Sequence, residues 1–386
     1  MDIRDLYLRG LKFRQLLEEE LESYDTYDLP LRRRLWLWRH GFLSRSEYVY
    51  DLTDDRYRYY LTDFERFVRT PLINGEWNVA LTNKLLFHWL MGRFEAHRMG
   101  VSGMVRDGRY LPLDSDGSPR GTRDEPPAVA TEGLGANGAE LSLRGRKTTD
   151  AAQRVLERLQ SDGRLVLKWI KGGGGENVYL CSQTDDGIRV NGEPKTTAEF
   201  ESLVEGLHEY LVCEFVEQSE FSSSVYPGTT NTLRVVTMYD ETEAEAFVPI
   251  AILRVGTDRS GSMDNFSQGG LSAPIDVETG EMGKAVQLRT PTDLVRHAEH
   301  PSTGAQIEGV EIPEWPTIRD RLLGIAEENR QLPYVGWDLV LTDDAGGFKI
   351  IEGNSYPGMK SLQSHRPLLE DERVREFYRR HGVVRR

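Results

Sequence analysis

Cysteine is nearly absent: Cys181 and Cys213 are the only two in 386 residues. They stand far apart, with no companion cysteine and no clustered histidine. That excludes a disulfide scaffold and a thiolate zinc site, and it suits a reducing cytosol. Long apolar runs are missing too. The longest, 165–170 and 246–253, fall far short of the roughly 20 residues that cross a bilayer, so no membrane span is expected. Lysine is scarce beside arginine, and the 48 basic residues are outnumbered by 62 acidic ones, leaving a net charge of −14. Such a chain repels nucleic acid and anionic lipid unless a local basic patch overrides the field. The one short patch, Arg32, Arg33 and Arg34, reads as a solvated helix face, and no nucleic-acid partner is expected. The first residues carry neither a basic start followed by an apolar run nor a small-residue cleavage site, so the expected location is cytoplasmic.

What is present is a globular composition, 38% hydrophobic and 28% charged, in a chain long enough for two or three packed domains. Up to about residue 70, apolar side chains such as Leu8, Leu11, Phe13, Leu16 and Leu17 recur at helical spacing. A second helical pattern runs from about 78 to 99 through Leu85, Leu86, Trp89, Leu90 and Phe94, with Thr82 or Asn83 as its cap. Residues 113–150 are rich in Asp, Gly, Ser, Pro and Thr, the mark of a long loop or mobile insertion. Short β-like runs follow at 164–170, 176–181, 210–216, 232–239, 245–255, 335–341 and 347–352. Helical stretches near 150–160, 197–208 and 316–330 interrupt them. The pattern predicts an α+β fold with antiparallel strands and a charged amphipathic helix at the C-terminal tail.

Three segments carry chemistry. In 165–178 a strand containing Lys168 is followed by Lys171, a glycine run that includes Gly173 and Gly174, and a second strand. Glycines let backbone N–H groups approach phosphate oxygens while a lysine supplies a point charge, although such a run between strands is more often only a flexible turn. Near the C-terminus, Asp338 lies within an apolar strand, and Glu352 and Asn354 follow on the next one. The two-residue period sends Glu352 and Asn354 to one face, where a carboxylate and an amide oxygen can share a hard cation. A polar strand edge entering a Pro-Gly turn is the plainer reading of the pair. Asp338 weakens that reading, because a carboxylate inside such a strand is costly unless paired or metal-bound. Finally, Arg234 and Arg254 each interrupt an apolar strand and are followed by the polar stretch 264–270. Singly each reads as a surface residue; together they suit a clamp on a phosphoryl or acyl phosphate group.

In this order the motifs resemble the ATP-grasp superfamily, most closely its sugar-transfer-associated branch, related to α-L-glutamate ligases. The resemblance covers roughly residues 78–365. It implies a fold of two α/β lobes with antiparallel sheets clamping ATP, preceded here by a helical region: 1–77 helical, 78–210 the small lobe with the polar insertion and glycine loop, 211–368 the large lobe with the metal site, and 369–386 a C-terminal helix. It also implies nucleotide contacts at Lys84, after Asn83, and at Lys168. The hinge Glu214, Phe215, Val216 and Glu217 would contact the adenine, and Glu217 or Glu220 the ribose. The family's arginine strand matches Asn231, Thr232 and Arg234, and its second arginine Arg254. Arg254, Arg234 and Asn265 are the implied catalytic residues, and Asp338, Glu352 and Asn354 the implied ligands of Mg2+ or Mn2+. Two departures stand out, since the family usually opens with a Rossmann-like domain whereas residues 1–75 look helical, and the insertion maps to nothing. The implied reaction joins a small-molecule carboxylate to an amine through an acyl phosphate. The rivals are phosphoryl transfer without amide formation and a non-catalytic nucleotide-binding module.

Overall fold

The computed structural model describes residues 3–113, 149–172, 177–261 and 263–385. The chain divides into two compact units, one of Met1–Phe87, Phe94–Arg98 and Val216–Arg386, the other of His88–Arg93 and Met99–Phe215.

The first unit opens with α1 (Ile3–Glu22) and α2 (Leu31–Arg39). Beyond Arg39 the expected helix gives way to short 3-10 turns and a single π turn at Glu65–Arg69. The arginine patch is also not the solvated face it was expected to be. Arg34 is 4% exposed, pairs with Glu20 and donates to the carbonyl of Tyr24 at 2.7 Å, while Arg33 forks onto Glu47; only Arg32 is exposed. Helices α3 (Asn78–Thr82) and α4 (Lys84–Leu90) follow. Asn83 Oδ1 accepts from Leu85 and Leu86 N–H, so Asn83, rather than Thr82, caps α4.

The second unit is a seven-stranded antiparallel sheet built from β1 (Val101–Arg106), β2 (Arg109–Pro112), β3 (Arg164–Trp169), β4 (Val178–Thr184), β5 (Gly187–Val190), β6 (Glu193–Lys195) and β7 (Tyr210–Glu214), in the order 2-1-7-3-4-5-6. The insertion falls on residues outside those described, apart from its ends. Helices α5 (Thr149–Asp162) and α6 (Thr197–Glu205) bury Val155, Leu159, Phe200 and Val204 with Leu165, Leu167 and Val212 of the sheet. A reciprocal Thr196–Glu199 capping box starts α6.

The first unit resumes with α7 (Glu220–Val225) and a second seven-stranded antiparallel sheet: β8 (Thr232–Asp240), β9 (Glu245–Val255), β10 (Leu271–Ile275), β11 (Ala285–Thr290), β12 (Asp293–His297), β13 (Tyr334–Leu341) and β14 (Phe348–Asn354), ordered 12-11-10-9-8-13-14. Helix α8 (Trp315–Glu328) lies against β8 and β9. Helices α9 (Met359–Gln363) and α10 (Glu372–Arg380) bury Leu362, Val374 and Tyr378 with Val236, Ile252, Tyr334 and Leu61. The N-terminal segment is stitched into this core by side-chain bonds to backbone. Asn74 exchanges two hydrogen bonds with Tyr334, at 2.7 and 3.0 Å, and Gln363 two with Leu61, at 2.8 and 3.0 Å.

Candidate active site

Strand β13 is buried along all eight residues, so its single carboxylate needs a strong partner. Register supplies one. Arg234 of β8, Asp338 of β13 and Glu352 of β14 are directly opposite one another, which puts the three side chains in one row on one face. Arg234 forks onto Asp338, Nε to Oδ1 and Nη2 to Oδ2 at 2.7 Å. Arg254 of β9 reaches the same Oδ2 from Nη1 at 3.3 Å and gives Nη2 to Asp264 Oδ1 at 2.7 Å. The hydroxyl of Thr232, the cross-strand neighbour of Arg254, donates to the other oxygen of Asp264. The result is a buried chain of alternating charge, two arginines against two carboxylates, each desolvated but paired. Burial acts to lower the Arg234 pKa, and Asp338 outweighs it, holding the guanidinium above its ordinary value. Asp264 is pushed up by burial, against the pull of Arg254.

At the edge of this row, Lys84, the first residue of α4, places Nζ 3.4 Å from Glu352 Oε1. Gly353 lets the strand pass close beneath this helix: a Cβ there would lie 2.6 Å from the Phe87 ring. Asn354 donates its amide to the carbonyl of Gly336 at 3.3 Å and stands on the same strand face as Glu352. Asn265 Oδ1 accepts from Ser267 N–H at 3.2 Å and holds the turn that follows Asp264.

For a hard divalent cation the donor chemistry fits. Glu352 and Asn354 present a carboxylate and an amide oxygen side by side. Asp338 as found is the counter-ion of the arginine fork, with both oxygens accepting. Among the described residues no group of three His, Cys, Asp or Glu side chains is arranged to hold a metal by itself. Asp264 and Thr232 are the site residues that sequence reasoning passed over. Their signal was the polar stretch 264–270 and the motif around Arg234, in which only the arginines and Asn265 were given roles.

Of the remaining nucleotide residues, Lys168, Lys171, Glu214 and Phe215 belong to the other unit, and Val216, Glu217 and Glu220 to the first. Lys168 sits on β3 between β4 and β7, its Nζ 3.5 Å from Met99 Sδ. Lys171 is paired with Glu209 at 3.3 Å. Glu214 ends β7, and its carboxylate accepts from Gly100 N–H at 2.7 Å. Phe215 follows, its ring 5.1 Å from the Arg164 guanidinium. Val216 and Glu217 open the extended link to α7, whose first residue, Glu220, is exposed, as is Glu217. Gly173 and Gly174 lie outside the described residues.

The family model described as sugar-transfer associated ATP-grasp matches residues 134–371, more than half of the chain. The chain belongs to this family, and its two antiparallel sheets with their helices are the ATP-grasp fold. Comparison with curated proteins finds no match. Among solved structures, the chain is similar to the biotin carboxylase domain of 2-oxoglutarate carboxylase from Hydrogenobacter thermophilus, described in complex with MgADP and bicarbonate: 11% identity, TM-score 0.38, 80% of this chain and 47% of that one. It is similar to the ADP complex of purK, N5-carboxyaminoimidazole ribonucleotide synthetase, at 11% identity and TM-score 0.29, with 54% and 39% covered. It is also similar to the ATP-grasp ligase PsnB with its minimal precursor, at 13% identity and TM-score 0.30, with 60% and 52% covered. The chain thus spans about half or less of the length of these structures.

Proposed function

We propose that the protein is an ATP- and magnesium-dependent ligase that converts a carboxylate to an acyl phosphate and transfers the acyl group to an amine. Family membership supports the nucleotide, and one observation carries the rest. The row Arg234, Asp338 and Glu352, flanked by Arg254 and Lys84, sets cations and carboxylates on one strand face in alternation, as transfer between anions requires. In this reading a substrate carboxylate oxygen bonds to the γ-phosphorus as the bridging oxygen leaves with ADP. The amine then adds to the acyl carbon, phosphate departs, and the amine proton passes to solvent. Glu352 and Asn354 would hold the divalent cation, whose contribution is to neutralise phosphate oxygens. Lys84 and Lys168 would hold the phosphates as point charges, and the link from Glu214 to Glu217 would meet the adenine. Arg254, and Arg234 behind it, would stabilise the oxyanion and the departing phosphate from a geometry already fixed by their aspartates. No covalent enzyme intermediate is needed. A cytoplasmic setting, and a role in assembling cell-surface polysaccharide or amino-acid conjugates, belong to this proposal.

Hydroxylamine trapping tests it directly. Incubation with ATP, magnesium and a panel of carboxylates should yield a hydroxamate together with ADP, and Glu352→Ala should abolish both. ATP turnover accompanied by a stable phosphorylated product, with no hydroxamate from any carboxylate, would overturn the ligase reading.

A further inference from the structure

Just beyond Glu352 and Asn354 the chain turns through Pro357 and Gly358 into α9, and there it meets cations supplied by the N-terminal segment. Arg66 donates from Nε to the carbonyl of Pro357 at 3.2 Å. At Gly358 a Cβ would stand 4.0 Å from Nη1 of Arg234, so this turn separates the arginine fork from the N-terminal charges. Lys360, two residues on, lies within the field of both Arg45 and Arg66. The two arginines flank one ring, their guanidinium carbons 5.5 and 4.5 Å from the centroid of Phe67.

The nearby carboxylates do not balance this charge. Glu19 and Asp63 are both ion-paired to Arg45, the latter at 3.4 Å, and Asp63 also accepts from Leu43 N–H at 2.9 Å and Ser46 Oγ at 2.6 Å. Among the described residues no carboxylate comes within ion-pair distance of Arg66 or Lys360, although both are half-buried. Arg45 Nε is buried with no hydrogen-bond partner. A purely structural ion network would end in neutral pairs, because a desolvated cation without a counter-ion is destabilising. This one ends with two cations, Arg66 and Lys360, that have no carboxylate partner among the described residues. Burial first, and then the neighbouring arginines, lower the Arg66 pKa and bring the Lys360 ammonium down to about 8, against the opposing pull of Asp63 and Glu19.

We propose that Arg45, Arg66 and Lys360 form a binding site for a non-reacting anionic group of the substrate, a carboxylate or a phosphate. The assignment rests on the ligase reading for the word substrate, but the site itself does not. It gives the helical segment, standing where the family usually has a Rossmann-like domain, the task of selecting what is ligated. A guanidinium fork beside an ammonium suits either anion.

The test uses the full-length protein, with glutarate and inorganic phosphate as probes. Modification of Lys360 by an amine-reactive reagent is followed by peptide mass spectrometry, and binding of a fluorescent ATP analogue is followed in parallel. The expected result is that Lys360 reacts in the anion-free protein, that one of the two anions slows the reaction several-fold, and that Arg66→Gln removes the protection. Protection by glutarate alone identifies a carboxylate, and protection by phosphate alone a phosphate. The proposal is overturned if Lys360 is unreactive without anion, since the site must be open, or if neither anion protects it while the nucleotide still binds. Protection without nucleotide binding would instead overturn the ligase reading and leave the anion site standing. Should Arg66→Gln lose its circular dichroism signal, the wild-type competition decides alone, with exposed Lys195 as the internal control.

Discussion

Arg254 touches two carboxylates at once, Asp338 and Asp264, and each of its contacts has a different consequence. If it meets the developing charge of the reaction, Arg254→Ala should lower kcat/KM for hydroxamate formation by about 2–4 kcal/mol of transition-state stabilisation. Unchanged turnover would remove it from the mechanism. Lys360 yields a prediction about pH. Its folded pKa of about 8 is below the ordinary 10.5, so between these values the unfolded chain binds more protons and stability rises with pH. Below pH 8 both states are protonated and the destabilisation is full, at most about 3 kcal/mol. Burial pushes this value down most, with Arg45 and Arg66 adding to it, while Asp63 and Glu19 oppose them. Lys360→Met should therefore raise the urea midpoint at pH 7 and lose its advantage above pH 10.5. A constant difference between variant and wild type across that range would contradict the assignment.

Among elements, α4 matters most for its small size, since its first residue is Lys84 and its cap is one side chain. Asn83→Ala should cost about 1 kcal/mol of stability. It should also weaken ATP binding more than a cap removal elsewhere, such as Thr196→Ala on α6; equal nucleotide affinity in the two variants would separate Lys84 from the nucleotide. The strands that sequence periodicity made legible were β3, β4, β7, β8, β9, β13 and β14, because burial on both faces or a strong alternation leaves a compositional trace. The strands from β10 to β12 were not legible. Leu271–Ile275 contains a proline, and Ala285–Thr290 and Asp293–His297 run to the sheet edge, where polar residues replace the pattern. Past Arg39 the helical N-terminal region is built from short 3-10 and π turns rather than long α-helices, for a related reason. Aromatic and charged residues there are spaced for helix but serve tertiary bonds in short turns, as Asp63 does for Leu43 and Ser46.

At the scale of the molecule, the N-terminal segment is part of the unit that carries Asp338 and Glu352, joined to it through Asn74, Gln363 and the bond from Arg69 to the carbonyl of Val383. Deleting residues 1–77 uncovers the cluster containing Tyr334, Leu362 and Tyr378, so the truncated chain should be insoluble or unfold without cooperativity. A shortened protein that melts as sharply as the full chain would show the segment to be an appendage. By itself the sequence determined the class of fold, the arginine pair and the pairing of Asp338 with Glu352, because each is written in local residue order and in the two-residue period of strands. Only the tertiary structure decided that Asp338 is held by two arginines, that Asp264 and Thr232 complete their partners, and that Arg66 reaches the carbonyl of Pro357. Those contacts join residues from 10 to about 300 positions apart, and charge pairing at such separation is set by which strands and helices pack, which no local pattern encodes.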